Sequence, residues 1–446
     1  MSDLQIYLTV GIFGVVILII AFDLLDLAVA ALLGVAAMIV TGILDEKDFL
    51  QVPNIAAGPI ALLFGGMVVA YVLETTGFFT WLGTPFLRLT GGSGKRFLLM
   101  LVTVVAVVCA VLPNATTVIV LAPLIIRTSQ ALGVPFAGPM ILTAIVSNAA
   151  GLLTLVGDPA TFVVGSSIGM TFGQYLKTVS LGGVFAVLVI VPLLPVLMPE
   201  VWNARHELKP SGPAARLERP GLAGLALLVL AFMVIMFMLG EALPVRVLPP
   251  SVAIIAATLA LLLVYSAKVQ SVDQVLKAVD WKTLIFFGAI MCLMQGFTKT
   301  GLLQGLALQL YGWFGTDYTL AALALLAGVG VLSSVLANLP VVTASIVMTK
   351  GYLVAAQAVP EVALAGEFTD WPAAVIPVFV AMMFGGTLGG NATSIGASAN
   401  IVSVGIAARH GERITFARFL RYGLPITIAQ LAVGAIYVLG MRWFAA

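Results

Sequence analysis

Apolar runs of membrane-spanning length recur along this chain from residue 4 to residue 443. A helix crosses the hydrocarbon core with about 20 such residues. Runs at 4–22, 27–44, 57–73, 139–164, 179–198, 222–240, 250–266, 283–297, 373–405 and 421–443 read as spans. Only 9% of residues are charged and 61% are hydrophobic, against roughly 25% charged in soluble proteins. That excludes a water-soluble globule, a disordered chain and a nucleic-acid binder. The opening MSDLQIYLTV has no basic n-region, so it reads as a first span and not as a cleaved signal.

Two further apolar stretches, 97–126 and 320–348, are interrupted midway by Leu112-Pro113-Asn114 and by Asn338-Leu339-Pro340. Each half is too short to cross. Both read as re-entrant hairpins, which a membrane tolerates where they are buried in protein or line a cavity. Basic residues agree with this count. With the N-terminus outside, fifteen Lys and Arg fall on the cytoplasmic side and six outside, as the positive-inside rule requires. The expected fold is an all-α polytopic membrane protein of about ten spans plus two hairpins, with both termini outside.

The two halves align as repeats. A shift of 224 carries Thr76-Gly77 onto Thr300-Gly301 and Asn114 onto Asn338. After the hairpins the shift is 239, and Thr154 meets Thr393 while Gly157 meets Gly396. The domains are then 1–198, a first repeat, and 222–446, a second. Between them lies the polar, Pro-rich cytoplasmic linker 199–221. Five spans per half is odd, so the second repeat enters inverted. Inverted repeats with interrupted helices at matching positions are transporter architecture, and the breaks mark the binding site near the midplane.

The residues at the breaks are the candidate site. The first hairpin tip offers Asn114, Thr116 and Thr117. Its counterpart offers Asn338 and Thr343. The broken helix of the first half carries Asn148, Thr154 and Asp158, and that of the second carries Asn391, Thr393, Ser394, Ser398 and Asn400. Amides, hydroxyls and freed backbone groups at such breaks bind a cation or a polar solute. Asp158-Pro159 reads as an N-cap with proline at the first helical position. Asp158 is the acidic residue placed deep in the membrane, where a charge costs on the order of 3 kcal/mol on insertion scales. It is the candidate for proton coupling. Desolvation favours its neutral form, and nearby helix N-termini favour the charged one. No Lys or Arg falls at the site. His206 and His410 lie in loops, and Cys109 and Cys292 sit apart in apolar runs. Nothing calls for a metal, a cofactor or a catalytic residue. An aspartyl membrane protease would need a second membrane-embedded Asp. A channel would not need a buried acid and would not move solute uphill.

At these residues the sequence resembles the ion transporter superfamily. Within it, the arsenite/antimonite efflux permeases and the related melanosomal P protein family are most similar. LTLVGDPATFVVGSS (153–167) resembles that group's GDPPN-type motif, with Ala160-Thr161 in place of Pro-Asn. GGNATSIGASANIVSVGIAARHG (389–411) is similar to its second-half motif. PNATT (113–117) resembles a variant of the Ser-Asn-Thr signature of divalent-anion/sodium symporters. The resemblance implies an elevator mechanism, a homodimer, and export of arsenite or antimonite across the cytoplasmic (inner) membrane in exchange for protons. In some members it implies an added cytoplasmic ATPase subunit. The rival it implies is a sodium-coupled dicarboxylate or other anion transporter, with Asn114 and Asn338 at the sodium sites.

Overall fold

The structure is a computed structural model, and it describes residues 3–21, 24–206, 217, 219–364 and 368–445. Part of the expected linker, 207–216 and residue 218, lies outside the described residues, as does Asp23. Among the described residues the fold is all helix. The one β-type contact is an isolated antiparallel bridge between Ser93 and Arg205. Among the described residues, eight helices are long and apolar enough to cross a membrane, and Leu4–Ile20, Leu27–Val40 and Ala137–Ala150 are shorter apolar helices. Large apolar side chains stay exposed on these helices, among them Leu228 at 65% and Ile436 at 69%. Helices apolar all round belong in lipid. The chain is a multi-pass membrane protein.

The first half runs α1 (Asp3–Ala21), α2 (Leu27–Val40), α3 (Glu46–Thr75), α4 (Phe78–Thr90), α5 (Gly94–Cys109), α6 (Asn114–Ala131), α7 (Ala137–Ala150), α8 (Pro159–Ser167) and α9 (Leu181–Leu188). The second runs α10 (Pro220–Leu239), α11 (Pro249–Ala267), α12 (Trp281–Thr300), α13 (Leu302–Phe314), α14 (Tyr318–Val335), α15 (Asn338–Ala355), α16 (Ile376–Gly389), α17 (Ser398–Arg409) and α18 (Phe416–Ala445). The offsets read from sequence recur in the helix bounds. α4 and α6 reappear as α13 and α15 at 224, and α7 reappears as α16 at 239. The turn before α4 and the turn before α13 use the same device. Gly77 (φ 76°, ψ 10°) and Gly301 (φ 77°, ψ 5°) take the left-handed conformation, which costs glycine little.

Each interrupted stretch folds back on itself. The start of α5 is held where Gly94 N–H donates to Ala204 O and His206 N–H donates to Gly92 O, both at 2.9 Å. The far end of α6 returns to the same place, with Gly133 beside the His206 ring. In the second half, Tyr318 at the start of α14 stacks edge-on with Tyr352 near the end of α15, ring centroids 6.4 Å apart. The interruptions differ slightly from expectation. Residues 110–113 form the first gap, but the second gap is only Leu336 and Ala337. Asn338-Leu339-Pro340 makes the first turn of α15. Proline is tolerated there because first-turn N–H groups have no helical partner.

The broken helices run in opposite directions between the two ends of the molecule. The start of α7 is held by Glu412, which follows α17 and accepts from Phe136 N and Ala137 N at 2.9 Å each. At the other end Gly169, after α8, lies against Thr369, before α16. On the flank, Lys299 ties the end of α12 to Asp45 (3.0 Å) and Asp48 (2.6 Å) at the start of α3. Lys282 pairs with Asp26.

Candidate functional site

Both breaks are built by glycines that let the chain touch itself. Within 151–157 the backbone turns back so tightly that a Cβ on Gly157 would lie 3.0 Å from Gly151 O. At the matching place a Cβ on Gly396 would lie 2.5 Å from Gly390 O. The hairpins brace these loops with the same two bonds in each half. Thr154 Oγ1 donates to Ala110 O (2.6 Å) and Thr393 Oγ1 to Ser334 O (2.5 Å). Cys109 Sγ donates to Ser147 O (2.9 Å) and Ser333 Oγ to Gly386 O (2.5 Å). Each pair of donors and each pair of acceptors is related by the 224 and 239 offsets. Thr154→Val and Thr393→Val are expected to lower stability by similar amounts, about 1–3 kcal/mol each, because each orphans a carbonyl inside the bundle. Thermal melting of the two variants side by side checks this. A large loss in one and none in the other would contradict it.

Between the breaks lies a cavity of about 110 Å³. Four helix N-termini meet around it. Asn114 opens α6, Pro159 opens α8, Asn338 opens α15 and Ser398 opens α17, and all four line the cavity. Unpaired N–H groups and the helix dipole make each such end attractive to negative or electron-rich groups. The lining residues include no Lys, Arg or His. Ile20, Leu27, Leu63, Met67, Phe286 and Phe287 form an apolar opposite wall.

Asp158 is 3% exposed and faces this cavity. It occupies the N-cap position of α8, with Pro159 next; no well-formed capping bond closes, but the Thr161 and Ala160 N–H groups lie close to the carboxylate. The carboxylate also reaches one partner in each half. Oδ2 accepts from Thr387 Oγ1 and Oδ1 from Asn114 Nδ2, both at 3.3 Å. The Asn338 amide also reaches it. Asn114 has a second way round. Its nitrogen then donates to Ser147 O (3.2 Å) and Gly157 O (3.1 Å), and its oxygen meets Asp158 Oδ1 and Asn148 Oδ1. Three oxygens so placed demand a proton or a cation among them.

The structure divides the other expected residues. Asn148 lines the cavity with Asn114, Asp158, Asn338 and Ser398. Asn391 and Asn400 lie behind Asn148, accepting its two amide protons at 2.9 and 3.0 Å. Thr154 and Thr393 are braces. Thr343 bonds Leu339 O in its own helix (2.8 Å). Thr116, Thr117 and Ser394 are not among the lining residues, and Thr117 is fully buried. Sequence reasoning missed Thr387 and Gln430. Thr387 holds the position matching Asn148 at the 239 offset, a signal that was available. Gln430 is a lone amide within the apolar run 421–443. Among the described residues no group of three His, Cys, Asp or Glu could hold a metal ion.

The family model described as "Citrate transporter" (CitMHS) matches residues 16–366. An uncharacterized transporter of Synechocystis sp. is 41% identical over 438 residues, 98% of each chain. One from Mycobacterium tuberculosis is 30% identical over 438 residues, again 98% of each. The P protein of Homo sapiens is 27% identical over 518 residues, covering 98% of this chain and 60% of that one. Among solved structures, the YdaH transporter of Alcanivorax borkumensis aligns with TM-score 0.59 at 15% identity over 90% of each chain, a likeness of fold.

Proposed function

The chain belongs to the citrate transporter (CitMHS) family, and from that premise we propose that it is a proton-coupled exporter of a small oxyacid, arsenite or antimonite, with Asp158 as the coupling group. It is a transporter and not an enzyme. The observation that carries the proposal is the buried Asp158 carboxylate in a small cavity walled by amides and helix N-termini, without a basic side chain. Arsenous acid is mostly uncharged near neutral pH and carries three hydroxyls. It can donate to Asp158 and the asparagine oxygens and accept from helix N–H groups. The cavity volume of about 110 Å³ is below the roughly 300–1,000 Å³ of ordinary small-molecule sites, which favours a solute of few atoms.

Movement would follow an elevator scheme in two inverted repeats, 1–198 and 222–446. The hairpins and broken helices would carry the polar wall past α1, α2, α3 and α12, whose cavity face is apolar but for Thr283, a residue whose hydroxyl donates to Asp280. An apolar face slides without breaking hydrogen bonds. The matched braces and opposed broken helices support the inverted-repeat reading. External termini follow from the charge bias, and the inner membrane rests on the superfamily resemblance. A homodimer and an ATPase subunit rest on the superfamily resemblance.

A second reading is a sodium-coupled carboxylate transporter. Two observations favour it: the description of the family model and the four converging helix N-termini, which suit an anion. A polycarboxylate would meet no cationic side chain there and would need protons or a cation to balance it. A cation among the oxygens of Asn114, Asn148 and Asp158 could supply that balance.

Everted vesicles separate the readings. Arsenite accumulation that needs a proton gradient and ignores sodium is expected on the first. Citrate uptake that follows sodium, with no arsenite flux, would replace it with the second.

A further inference from the structure

A line of side-chain amides runs from α18 into the cavity. Gln430 Nε2 donates to Ala186 O of α9 (2.9 Å), and Gln430 Oε1 accepts from Asn391 Nδ2 (2.9 Å). Asn391 Oδ1 accepts from Asn148 Nδ2 (2.9 Å), and Asn148 Oδ1 faces Asn114. Gln430, Asn391 and Asn148 are all fully buried. An amide has a donor end and an acceptor end, and buried ends left unpaired are costly. Turning one amide over therefore sets donor against donor unless its neighbours turn too. A backbone carbonyl only accepts. Ala186 O thus forces the nitrogen of Gln430 outward, and each later amide inherits that direction. Asn400 confirms the sense from another side. Its nitrogen is pinned by Gly390 O (2.8 Å) and Thr393 O (2.7 Å), so its oxygen must take the second Asn148 proton (3.0 Å).

We propose that Gln430, which does not itself line the cavity, is a positioning residue that acts together with Asn400 to fix the amide line so that Asn148 presents its oxygen, and not its nitrogen, beside Asn114 and Asp158. The consequence is chemical. An oxygen at that point receives donors: the hydroxyls of a solute, or a proton or cation shared with Asp158. A nitrogen there would face the Asn114 nitrogen donor to donor and repel such a cation. The line also joins the second half to the first, since Gln430 and Asn391 orient an amide of α7.

This rests on the reading of the cavity as the transport site, so the test has one arm that needs no solute. Thermal unfolding of the purified full chain is compared for Gln430→Met, Asn148→Leu and the double variant. The double shift should be clearly smaller than the sum of the single shifts, because Asn148→Leu already releases the line. The shortfall should vanish in an Asn391→Leu background. Additive shifts would overturn the proposal, since distant independent sites add. The other arm is counterflow of arsenite and of citrate in proteoliposomes, which needs no ion gradient. Gln430→Met should raise the half-saturation concentration of the carried solute about tenfold with the maximal rate within about twofold. Gln430→Glu should restore it. That side chain keeps the acceptor for Asn391 and, protonated, can donate to Ala186 O. A loss of maximal rate alone, or an unchanged half-saturation, would overturn the positioning role. Should neither solute be carried, both proposed substrates fail and the unfolding cycle alone decides the role of Gln430.

Discussion

Asp158→Asn is expected to abolish uphill transport while leaving a folded protein that still exchanges solute. A proton gradient of one pH unit supplies about 1.4 kcal/mol, so one-for-one exchange sustains roughly tenfold accumulation. An uncoupled carrier sustains none, whatever its speed. Asn matches Asp in shape and cannot titrate; its one oxygen can accept from Asn114 Nδ2 while its nitrogen donates to the Thr387 hydroxyl. Removing a charge from the membrane interior also relieves a cost on the order of 3 kcal/mol. The melting temperature should therefore hold or rise. The decisive comparison is gradient-driven accumulation against counterflow in the same vesicles. Loss of the first with survival of the second fits a coupling residue. Accumulation that persists in the variant would reduce Asp158 to a structural residue at the start of α8.

Gly396→Ala is expected to cause a larger structural loss than its counterpart Gly157→Ala. The new carbon would lie 2.5 Å from the Gly390 carbonyl oxygen and 2.9 Å from its Cα. Both are backbone atoms, which cannot rotate away. Overpacking of this kind costs about 1–3 kcal/mol, occasionally more. Here it also displaces the loop that delivers Asn400 and the start of α17. Gly157→Ala is the internal control, because its nearest atom is Gly151 O at 3.0 Å. The expected order is a poorly folded, inactive Gly396→Ala and a folded, slower Gly157→Ala. Yield, melting temperature and counterflow rate report it. Wild-type behaviour of Gly396→Ala would mean that the second break does not close as described.

The two predictions rest on information of different origin. The candidacy of Asp158 is readable from its place in an apolar run, since an acid there is costly and so a functional candidate by default. Its actual partners were not. Sequence logic assigns a residue before Pro159 the task of capping α8, but nothing in the chain announces its bond from Thr387, 229 positions away. The hydroxyls were the least legible. Thr116, Thr154, Thr343 and Ser394 all neighbour a break, but only packing decides whether a hydroxyl faces the cavity, a carbonyl of its own helix or another loop.

By itself the sequence determined the membrane class, the helix breaks, the repeat offsets and the polar residues gathered at the breaks. The reason is that bilayer and backbone act locally: a span needs length and apolarity, and a break needs glycine, proline or an unpaired polar group. Tertiary structure alone decided that four helix N-termini share one cavity and that Asp158 answers to Thr387. It also decided that Gln430 sets the direction of an amide line ending at Asn148. Those facts depend on which helix ends meet across the two halves. Hydrogen bonds over hundreds of residues leave no periodicity or spacing in the chain to be read.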